Sequence, residues 1–389
     1  MSVHALTLRG PFRGPTGYDH HVRETAKALH ELGVAVELVP VSGWSDNVLS
    51  TVDGAWLETL VRPVDSRTAV HIMIPDHANP IAGKLNANFT MFEADRIPAY
   101  WMRKNQEHDL VIVPTESSRK MWIAGGYPKG KIRLCPLAVD AAVYSGEAPP
   151  LALRFEDGER VDSRRIRFLN ISEFGSRKNL IGLMRAWLRA TTPRDDAALI
   201  MKVGCYFPAS LQVFTEVHIR AAEQQAQKKL AEAAPICFIY GKLAEANMPR
   251  LFTSATHYIS LSLGEGWDLP MMEAATSGLR LIAPRHSAYI EYLDSSIASL
   301  IPSRAVPADY RGDPATAEMF RGAKWWMPDE ARAIEYIRDA IDGRDTHKPP
   351  ARERIAAKYT WTNSAKRLLE IVDELENPQK RRWFSAMKS

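Results

Sequence analysis

Two glutamates, Glu265 and Glu273, flank the segment Gly-Trp-Asp-Leu-Pro, which follows the strand-like run HYISLS. Pro270 suits the first turn of a helix, since proline lacks an N–H that would be unpaired there. We therefore predict a helix running to Gly278, with Glu273 in its first turn and Glu265 in the preceding loop. Carboxylates accept hydrogen bonds from sugar hydroxyls, and helix N-termini favour phosphate, so the pattern indicates a phosphorylated polyhydroxyl ligand. In the structural alternative, Glu273 only favours a helix N-terminus and Asp268 is an N-cap. For Asp268 taken alone, the N-cap is the better interpretation.

A second strand–loop–helix segment, SEFGSRKNLIGLM, places Arg177 and Lys178 at the start of a predicted helix. The helix dipole disfavours cations there, so the pair is explained if an anion such as a diphosphate lies between them. An ordinary solvated basic pair is the alternative. Apolar residues at helical spacing predict one buried face for this helix: Leu180, Leu183, Met184, Trp187 and Leu188.

A third junction of this kind, RGPFRGPTGYDHHV, carries Gly10, Gly14 and Gly17. Its spacing matches neither the dinucleotide-binding nor the P-loop signature. Glycines let backbone amides come close to a ligand, but a plain strand-to-helix turn explains the segment equally well.

The run VHIMIPDHANP contains two histidines. His71 alternates into a strand and is predicted to be a packed core residue, whereas His77 follows a Pro-Asp turn and is the better candidate to face a ligand. The sequence has no Asp-x-Asp triplet, so it does not support a metal-bridged diphosphate.

Short β-type runs alternate with amphipathic stretches along both halves of the 389-residue chain. This alternation predicts an α/β fold with parallel sheets covered by helices, and the length predicts two domains. Residues 141–165 lose the periodicity and collect Pro, Gly and charge, so we place an interdomain linker there. We expect doubly wound domains over residues 1–150 and 166–361, with ligands in a cleft at the carboxyl ends of the strands.

The bulk composition is typical of a soluble globular protein, and the net charge of +4 permits an anionic ligand without indicating a nucleic-acid binder. No apolar run approaches the roughly 18–20 residues that span a bilayer. The absence of a signal region and the three scattered cysteines predict a cytoplasmic protein. The basic and aromatic tail NPQKRRWFSAMKS is expected to be a solvated terminus, with peripheral contact to an anionic membrane as the alternative.

Taken in order, these segments resemble the family 4 glycosyltransferases, retaining enzymes with the GT-B fold of two Rossmann-like domains facing each other across a cleft. EGWDLPMMEA is similar to the family's E-x7-E segment, and GSRKNLIGLMRAW to its P-R-K-N-L segment. VIVPTESSRKMWIAGGYPKGKIRLCPLAVD resembles the end of its first domain. YTWTNSAKRLLEIVDEL resembles its C-terminal helix, expected here over residues 362–389 and packed back on the first domain. The resemblance covers nearly the whole chain.

The resemblance implies a role for each matching position. Glu273 would bind the ribose of a nucleotide diphosphate sugar, UDP- or GDP-linked, and Glu265 would lie near the sugar hydroxyls. Arg177 and Lys178 would neutralise the departing diphosphate, and Gly17 would offer it an amide. The remaining donor-binding residues would be Gly266, Trp267, Asp268, Leu269, Leu243 and His77. Neither a metal nor a cofactor besides the donor is expected.

Two departures from the family pattern affect the second half of the chain. Ser172 and Glu173 stand where many members carry an arginine, so Arg177 would carry the phosphate charge. The usual Phe-Gly after the first glutamate is here Trp267-Asp268, which would alter the contacts to the sugar.

A third departure lies in the first half. NFTMFEADRIP places Glu93 near the point where many members have a histidine beside the donor. Glu93 would orient the acceptor hydroxyl or act as a weak base. Equally, it would hold Arg96 or a backbone turn.

The resulting prediction is a hexosyltransferase that moves a hexose, with retention, from the donor to a hydroxyl of a glycan, a lipid-linked acceptor or another glycoconjugate. A phosphorylase of related fold would need a pyridoxal-binding lysine segment, which we do not find. The alternatives are a transferase acting on modified DNA and a catalytically silent GT-B module that binds polyanions.

Overall fold

Apolar runs rich in Val, Ile and Leu form the strands of the molecule, as expected for parallel sheets buried on both faces. The computed structural model describes residues 3–41, 44, 53–204, 210–345, 351–377 and 379. The chain folds as two units, Met1–Ala138 with Lys358–Ser389, and Val139–Ala357.

The first unit contains a six-stranded sheet in the order β2-β1-β3-β4-β5-β6. Neighbouring strands are all parallel. The strands are β1 (Ala5–Arg9), β2 (Ala35–Val39), β3 (Thr68–Ile72), β4 (Leu85–Phe89), β5 (Leu110–Val113) and β6 (Ile132–Leu134). The helices are α1 (Gly17–Glu31), α2 (Gly54–Thr59), α3 (Ala99–Lys104), α4 (Glu116–Ala124) and, from the end of the chain, α13 (Trp361–Glu376).

Helix α13 is tied to the first unit by polar contacts along its length. Thr68 donates to Glu376 Oε1 at 2.8 Å, Arg133 pairs with Glu374 at 2.9 Å, and Ser364 donates to the carbonyl of Pro136 at 2.7 Å. Most of the C-terminal tail, including all of its basic residues, lies outside the described residues.

The second unit repeats the design with a six-stranded parallel sheet in the order β12-β11-β10-β7-β8-β9. Its strands are β7 (Ile166–Glu173), β8 (Ala197–Gly204), β9 (Ile236–Tyr240), β10 (His257–Ile259), β11 (Arg280–Pro284) and β12 (Ser299–Ile301). The helices are α5 (Leu180–Ala190), α6 (Leu211–Ala226), α7 (Met248–Thr253), α8 (Leu269–Thr276), α9 (Tyr289–Tyr292), α10 (Pro314–Met319), α11 (Glu330–Ile341) and α12 (Ala351–Lys358). The predicted α/β fold with parallel sheets is confirmed, and the five apolar residues of α5 are all buried as predicted.

The segment predicted as a linker belongs to the second unit, whose first residue is Val139 rather than one near 166. The Tyr144 ring packs edge-to-face on Phe252 of α7 at 5.5 Å between centroids. The Leu151 amide donates to Ser254 Oγ at 2.9 Å. These contacts come from irregular backbone, which has no periodicity to reveal it in the sequence.

An antiparallel hairpin was not expected from the sequence. Strands β13 (Ser303–Pro307) and β14 (Lys324–Pro328) pair with each other, and α10 lies in the connection between them. No helix within the described part of the chain is long and apolar enough to cross a membrane.

Candidate active site

The loops after β7 and β10 meet at Glu265, because these two strands are neighbours and parallel. Lys178 Nζ lies 2.7 Å from Glu265 Oε1, and Arg177 Nη1 lies 3.0 Å from Oε2. Arg177 also donates to the carbonyl of Gly264 at 2.5 Å. The structure therefore brings together three of the residues that the sequence singled out, as one carboxylate held between two cations.

The electrostatics of this cluster favour the charged form of Glu265. Glu265 is 5% exposed, whereas the side chains of Arg177 and Lys178 are 19% and 21% exposed. Burial alone would raise the pKa of Glu265. The charges of Arg177 and Lys178, with hydrogen bonds from Lys178 and Ser262, instead hold that pKa well below its usual range. Part of each cation remains accessible to a ligand.

The two basic residues precede helix α5 rather than beginning it, as the sequence had suggested. They lie in a short 3₁₀ turn, Ser176–Lys178, and α5 starts at Leu180. Between turn and helix, Asn179 has φ = 52°, a left-handed conformation that asparagine tolerates. Its side chain donates to the carbonyl of Leu261 at 3.0 Å, which ties the two loops together. A side chain at Gly182 would collide with that of Asn179, so glycine is required there.

Helix α8 begins at Leu269, one residue after an N-cap in an unusual conformation. Asp268 has φ = 65°, and its side chain accepts from the amide of Met271 at 3.3 Å, so the predicted cap is confirmed. Pro270 occupies the first turn as predicted. Glu273 was expected in that turn but lies in the second one, because the cap sets the helix start at Leu269.

Asp268 is also part of a buried hydroxyl network. Tyr289 Oη donates to Asp268 Oδ2 at 2.6 Å, and Ser260 Oγ lies 2.7 Å from Tyr289 Oη. Burial and the charge of Glu265 raise the pKa of Asp268 to about 6, although Lys178 and the hydrogen bonds act in the opposite direction. Two carboxyl groups three residues apart thus have pKa values shifted in opposite directions.

The other residues predicted to bind the donor differ in how far their side chains are buried. The indole of Trp267 is buried against Tyr292, whose hydroxyl donates to the Trp267 carbonyl at 2.8 Å. Gly266 is buried and Leu269 is half-buried. Leu243 is half-buried in the loop after β9. Any ligand contact at Trp267 would therefore come from its backbone.

Glu273 is buried beside a cation that the sequence did not single out. Lys202, half-buried on β8, has its pKa lowered by burial, and the charges of Glu173 and Glu273 oppose that shift. Glu173 stands exposed at the end of β7, where the family resemblance expects an arginine.

Sequence reasoning missed the residues that support the Glu265 loop. Ser287, after β11, accepts from the Glu265 amide at 3.2 Å, and the Trp326 amide on β14 donates to the Leu263 carbonyl at 2.9 Å. The Arg311 amide, within the hairpin connection, donates to Ser176 Oγ at 2.8 Å. Single polar residues in loops carry no periodic signal, so nothing in the sequence marked them.

In the first unit, Glu93 lies in the loop after β4, close to Tyr18. The Met91 amide donates to Tyr18 Oη at 2.9 Å. Burial raises the pKa of Tyr18, and the Glu93 charge acts in the same direction, which places the carboxylate near the phenol. Arg96, considered as a partner for Glu93, pairs with Asp95 at 3.2 Å.

The other predicted residues of this unit are Gly17 at the start of α1, His71 in β3 and His77 in the loop that follows β3. Gly17 is exposed and is the first residue of α1. His77 is exposed, and its ring packs edge-to-face on Trp44 at 5.4 Å between centroids. His71 is fully buried and hydrogen-bonded to Asn86 Oδ1 at 2.8 Å, which confirms the predicted core position.

Over the residues that the structure describes, there is no group of three or more His, Cys, Asp or Glu side chains that would hold a metal ion.

Comparison with known proteins connects this geometry to a fold. No family model and no curated protein matches the sequence. Solved structures do match it, among them HepE from Anabaena in complex with UDP and glucose, at 12% identity, a TM-score of 0.64, and coverage of 95% of this chain and 100% of that chain. The chain has the GT-B fold.

Two further GT-B matches cover the chain equally well. Sucrose-phosphate synthase from Thermosynechococcus elongatus is 13% identical, with a TM-score of 0.64 and coverage of 96% of this chain and 100% of that chain. A glycosyltransferase from Rickettsia africae is 13% identical, with a TM-score of 0.62 and coverage of 96% and 99%. At such low identity the likeness establishes the fold, and function must be argued from the residues of the site.

Proposed function

We propose that this chain is a retaining glycosyltransferase of the family 4 type, which moves a hexose from a UDP- or GDP-linked sugar to a hydroxyl acceptor. The observation that supports this most directly is the cluster of Glu265, Arg177 and Lys178 at the carboxyl edge of the second sheet. The complexes of HepE with UDP and glucose, and with UDP-glucose, show that a protein of this fold binds such a donor. The proposed acceptor is a glycan, a lipid-linked sugar or another glycoconjugate.

The two cations would stabilise the leaving diphosphate. Negative charge grows on the diphosphate oxygens as the glycosidic bond breaks, and preorganised cations lower the energy of that state. Glu265 holds Arg177 and Lys178 in one place before the donor arrives, through contacts of 3.0 and 2.7 Å. The side chains of Arg177 and Lys178 remain 19% and 21% exposed, so both cations can still contact an anionic ligand. No metal and no further cofactor is needed in this scheme.

The remaining donor contacts would come from the start and the second turn of α8. The amides at Gly266, Trp267 and Leu269 would face the sugar and phosphate, since helix N-termini favour anionic groups. Glu273, which interacts electrostatically with Lys202, would accept hydrogen bonds from the ribose hydroxyls. Leu243, after β9, would contact the base.

The first unit would supply the acceptor side of the reaction. Glu93, near the Tyr18 hydroxyl, would orient the acceptor hydroxyl, and the exposed residues Gly17 and His77 would complete the donor contacts. These roles follow the family resemblance and the position of each residue at the carboxyl edge of its sheet.

The experiment that tests the proposal compares donor binding and slow donor hydrolysis across UDP-, GDP-, ADP- and dTDP-sugars. The native chain should be stabilised against heat by one nucleotide sugar and should hydrolyse it. Glu273→Gln and Lys178→Met should lose at least ~10-fold in apparent affinity or rate, because each removes a charged contact. Arg189→Met, in an exposed ion pair of α5, is the matched control and should leave both unchanged.

The outcomes separate the candidate functions. Absence of binding and hydrolysis for every nucleotide sugar would overturn the proposal. If DNA or anionic vesicles then bound, the chain would be a polyanion-binding module on a GT-B fold.

A further inference from the structure

Two buried residues after β11 contact the loop that carries Glu265. His286 is 4% exposed and Ser287 is 3% exposed. His286 Nε2 lies 3.0 Å from the Ser262 carbonyl oxygen, and His286 Nδ1 lies 2.8 Å from Ser287 Oγ. Ser287 Oγ in turn accepts from the Glu265 amide at 3.2 Å. The imidazole therefore bridges two points of the loop, one directly and one through the serine.

These contacts fit one tautomer of the imidazole. A carbonyl oxygen only accepts, so His286 Nε2 must carry the proton that it donates to Ser262. An amide N–H only donates, so Ser287 Oγ accepts from Glu265 and uses its own proton to donate to His286 Nδ1. All three bonds are satisfied when the ring is neutral and protonated at Nε2. Burial lowers the pKa of His286 to about 4, consistent with a neutral ring at physiological pH.

The ring is itself held from the other side by the hairpin. Trp326 on β14 stacks on His286 with 5.5 Å between centroids and 17° between planes. The Trp326 amide donates to the Leu263 carbonyl at 2.9 Å. Ser287 has φ = 43°, a left-handed conformation that is costly for serine and usually retained where the surroundings require it.

We propose that His286 is a positioning residue of the donor site, acting through Ser287 to fix the Glu265 backbone and thereby the carboxylate that holds Arg177 and Lys178. This inference rests on the proposed glycosyl transfer. Neither residue belongs to a motif of the sequence, and the hairpin that supports them lies outside the two loops that carry the charged cluster. His286 would keep the Glu265 carboxylate within contact distance of Arg177 and Lys178. This matters because small displacements of preorganised charges weaken catalysis strongly.

The test uses the full chain and the nucleotide sugar that it hydrolyses. His286→Leu and Ser287→Gly should lower kcat by at least ~10-fold with KM changed by less than ~3-fold, since the cations act mainly on the charge that develops in the transition state. Ser287→Gly removes the hydroxymethyl side chain and keeps the left-handed backbone, which glycine adopts readily. His286→Gln, whose amide can donate to Ser262 and accept from Ser287, should recover most of the loss.

A second buried histidine provides the control. His257, 2% exposed, contacts Thr256 and Asp345 at the amino-terminal end of β10, away from the Glu265 loop. His257→Gln should lower the melting temperature without lowering kcat. The positioning role would be wrong if kcat fell in proportion to the melting temperature in both the His286 and the His257 variants. It would also be wrong if kcat of His286→Gln were as low as that of His286→Leu.

A spectroscopic measurement keeps this inference separate from the proposed function. In the histidine-¹⁵N-labelled chain at pH 7, the His286 resonance, assigned by its loss in His286→Gln, should show the neutral Nε2–H pattern. Its Nδ1 shift should move in Ser287→Gly. A charged ring, the Nδ1–H tautomer or an unchanged Nδ1 shift would overturn the proposed contact from His286 through Ser287 to the Glu265 amide, even in an active enzyme. If no nucleotide sugar binds, the proposed function fails. These spectra still decide whether His286 contacts Ser287 in the proposed way.

Discussion

The loops after β1 and β10 occupy equivalent positions, since each leads from the carboxyl end of a parallel strand into a helix, but different parts of the chain hold them. Two side chains of the following helix, Asp19 and Arg23, bind the backbone of the loop after β1. Asp19 accepts from the amides of Gly14 and Thr16 at 2.7 and 3.2 Å, and Arg23 donates to the carbonyls of Phe12 and Gly14 at 3.2 and 2.8 Å. Each of these four contacts spans eleven residues or fewer. More distant segments also contact the loop, since Arg13 pairs with Glu58 at 2.6 Å and the Gly10 amide donates to the Val39 carbonyl at 3.2 Å.

The loop after β10 depends on distant segments instead. Glu265 is bound by Lys178, which lies 87 residues earlier, and its amide is bound by Ser287, 22 residues later. The Leu263 carbonyl is bound by Trp326 of the hairpin. The contacts that Asp19 and Arg23 make with the first loop can form with helix α1 alone, whereas those of the second loop need the sheet and the hairpin. Substitutions should accordingly have local effects in the first loop and wider effects in the second.

The largest effect is expected for Glu265→Gln, which removes the charge between Arg177 and Lys178. We expect the free energy of unfolding at pH 7.5 to fall by about 3 kcal/mol, because two partly buried cations lose their shared carboxylate. The pKa of Glu265 is lowered in the folded state, so its contribution is present above its ordinary pKa of 4.5 and is lost as the pH falls below that. Denaturant unfolding at pH 7.5 and pH 3.5 measures both quantities.

A matched control exists in the same unit. Glu330 also pairs with two arginines, Arg185 and Arg189, but its side chain is 22% exposed and Arg189 is 43% exposed. Glu330→Gln should cost less than about 1 kcal/mol, as is usual for exposed ion pairs. An equal fall in the free energy of unfolding for Glu265→Gln and Glu330→Gln would show that burial does not strengthen the ion pairs of Glu265.

A smaller and local effect is expected for Asp19→Ala in the loop after β1. The free energy of unfolding should fall by about 1–2 kcal/mol, as for the loss of a helix cap with buried amides left unpaired. Hydrogen exchange should accelerate at the amides of Gly14 and Thr16 and stay unchanged at the Glu265 amide. Asp19→Asn, which keeps one acceptor oxygen, should cost less. Faster exchange around Glu265 in Asp19→Ala would contradict the expectation that the loss of the Asp19 contacts has only local effects.

The difference between the loops also explains what the sequence could predict. Periodicity identified strands β1 to β11 and the buried face of α5, and Pro270 marked the start of α8 within one residue. The family resemblance, and not the strand pattern, assigned Arg177, Lys178 and Glu265 to one donor site. The order of strands that makes β7 and β10 neighbours was not readable from the pattern.

The unpredicted features are non-local or conformational. His286 and Ser287 act through contacts with residues 22–24 positions away and have no signal of their own. The short edge strand β12 and the hairpin β13–β14, which begins within two residues of it, were not predicted from the sequence. The left-handed Asp268 shifted Glu273 from the first to the second turn of α8. Such features become visible only when the chain is folded.

The smallest expected effect has the opposite sign and concerns the N-cap of α8. Asp268 has a pKa raised to about 6 in the folded state, against an ordinary value of 3.8. The folded state therefore binds more protons between these values, and this residue makes the protein less stable as the pH rises through that window. Asp268→Asn removes the titration. Asparagine tolerates φ = 65° and can still accept from the Met271 amide.

We expect Asp268→Asn to match the native chain at pH 3.5 and to become more stable by about 1 kcal/mol at pH 7, with the gain appearing between pH 4 and 6. Tyr289 would then donate to Ser260 Oγ, 2.7 Å away, and accept from the new amide. Denaturant unfolding across this pH range gives the difference curve. A difference in unfolding free energy that does not change with pH, or a less stable variant at pH 7, would contradict this expectation. It would mean that the Glu265 loop needs the charged carboxylate of Asp268. The stability of that loop would then depend on one local residue as well as on distant ones.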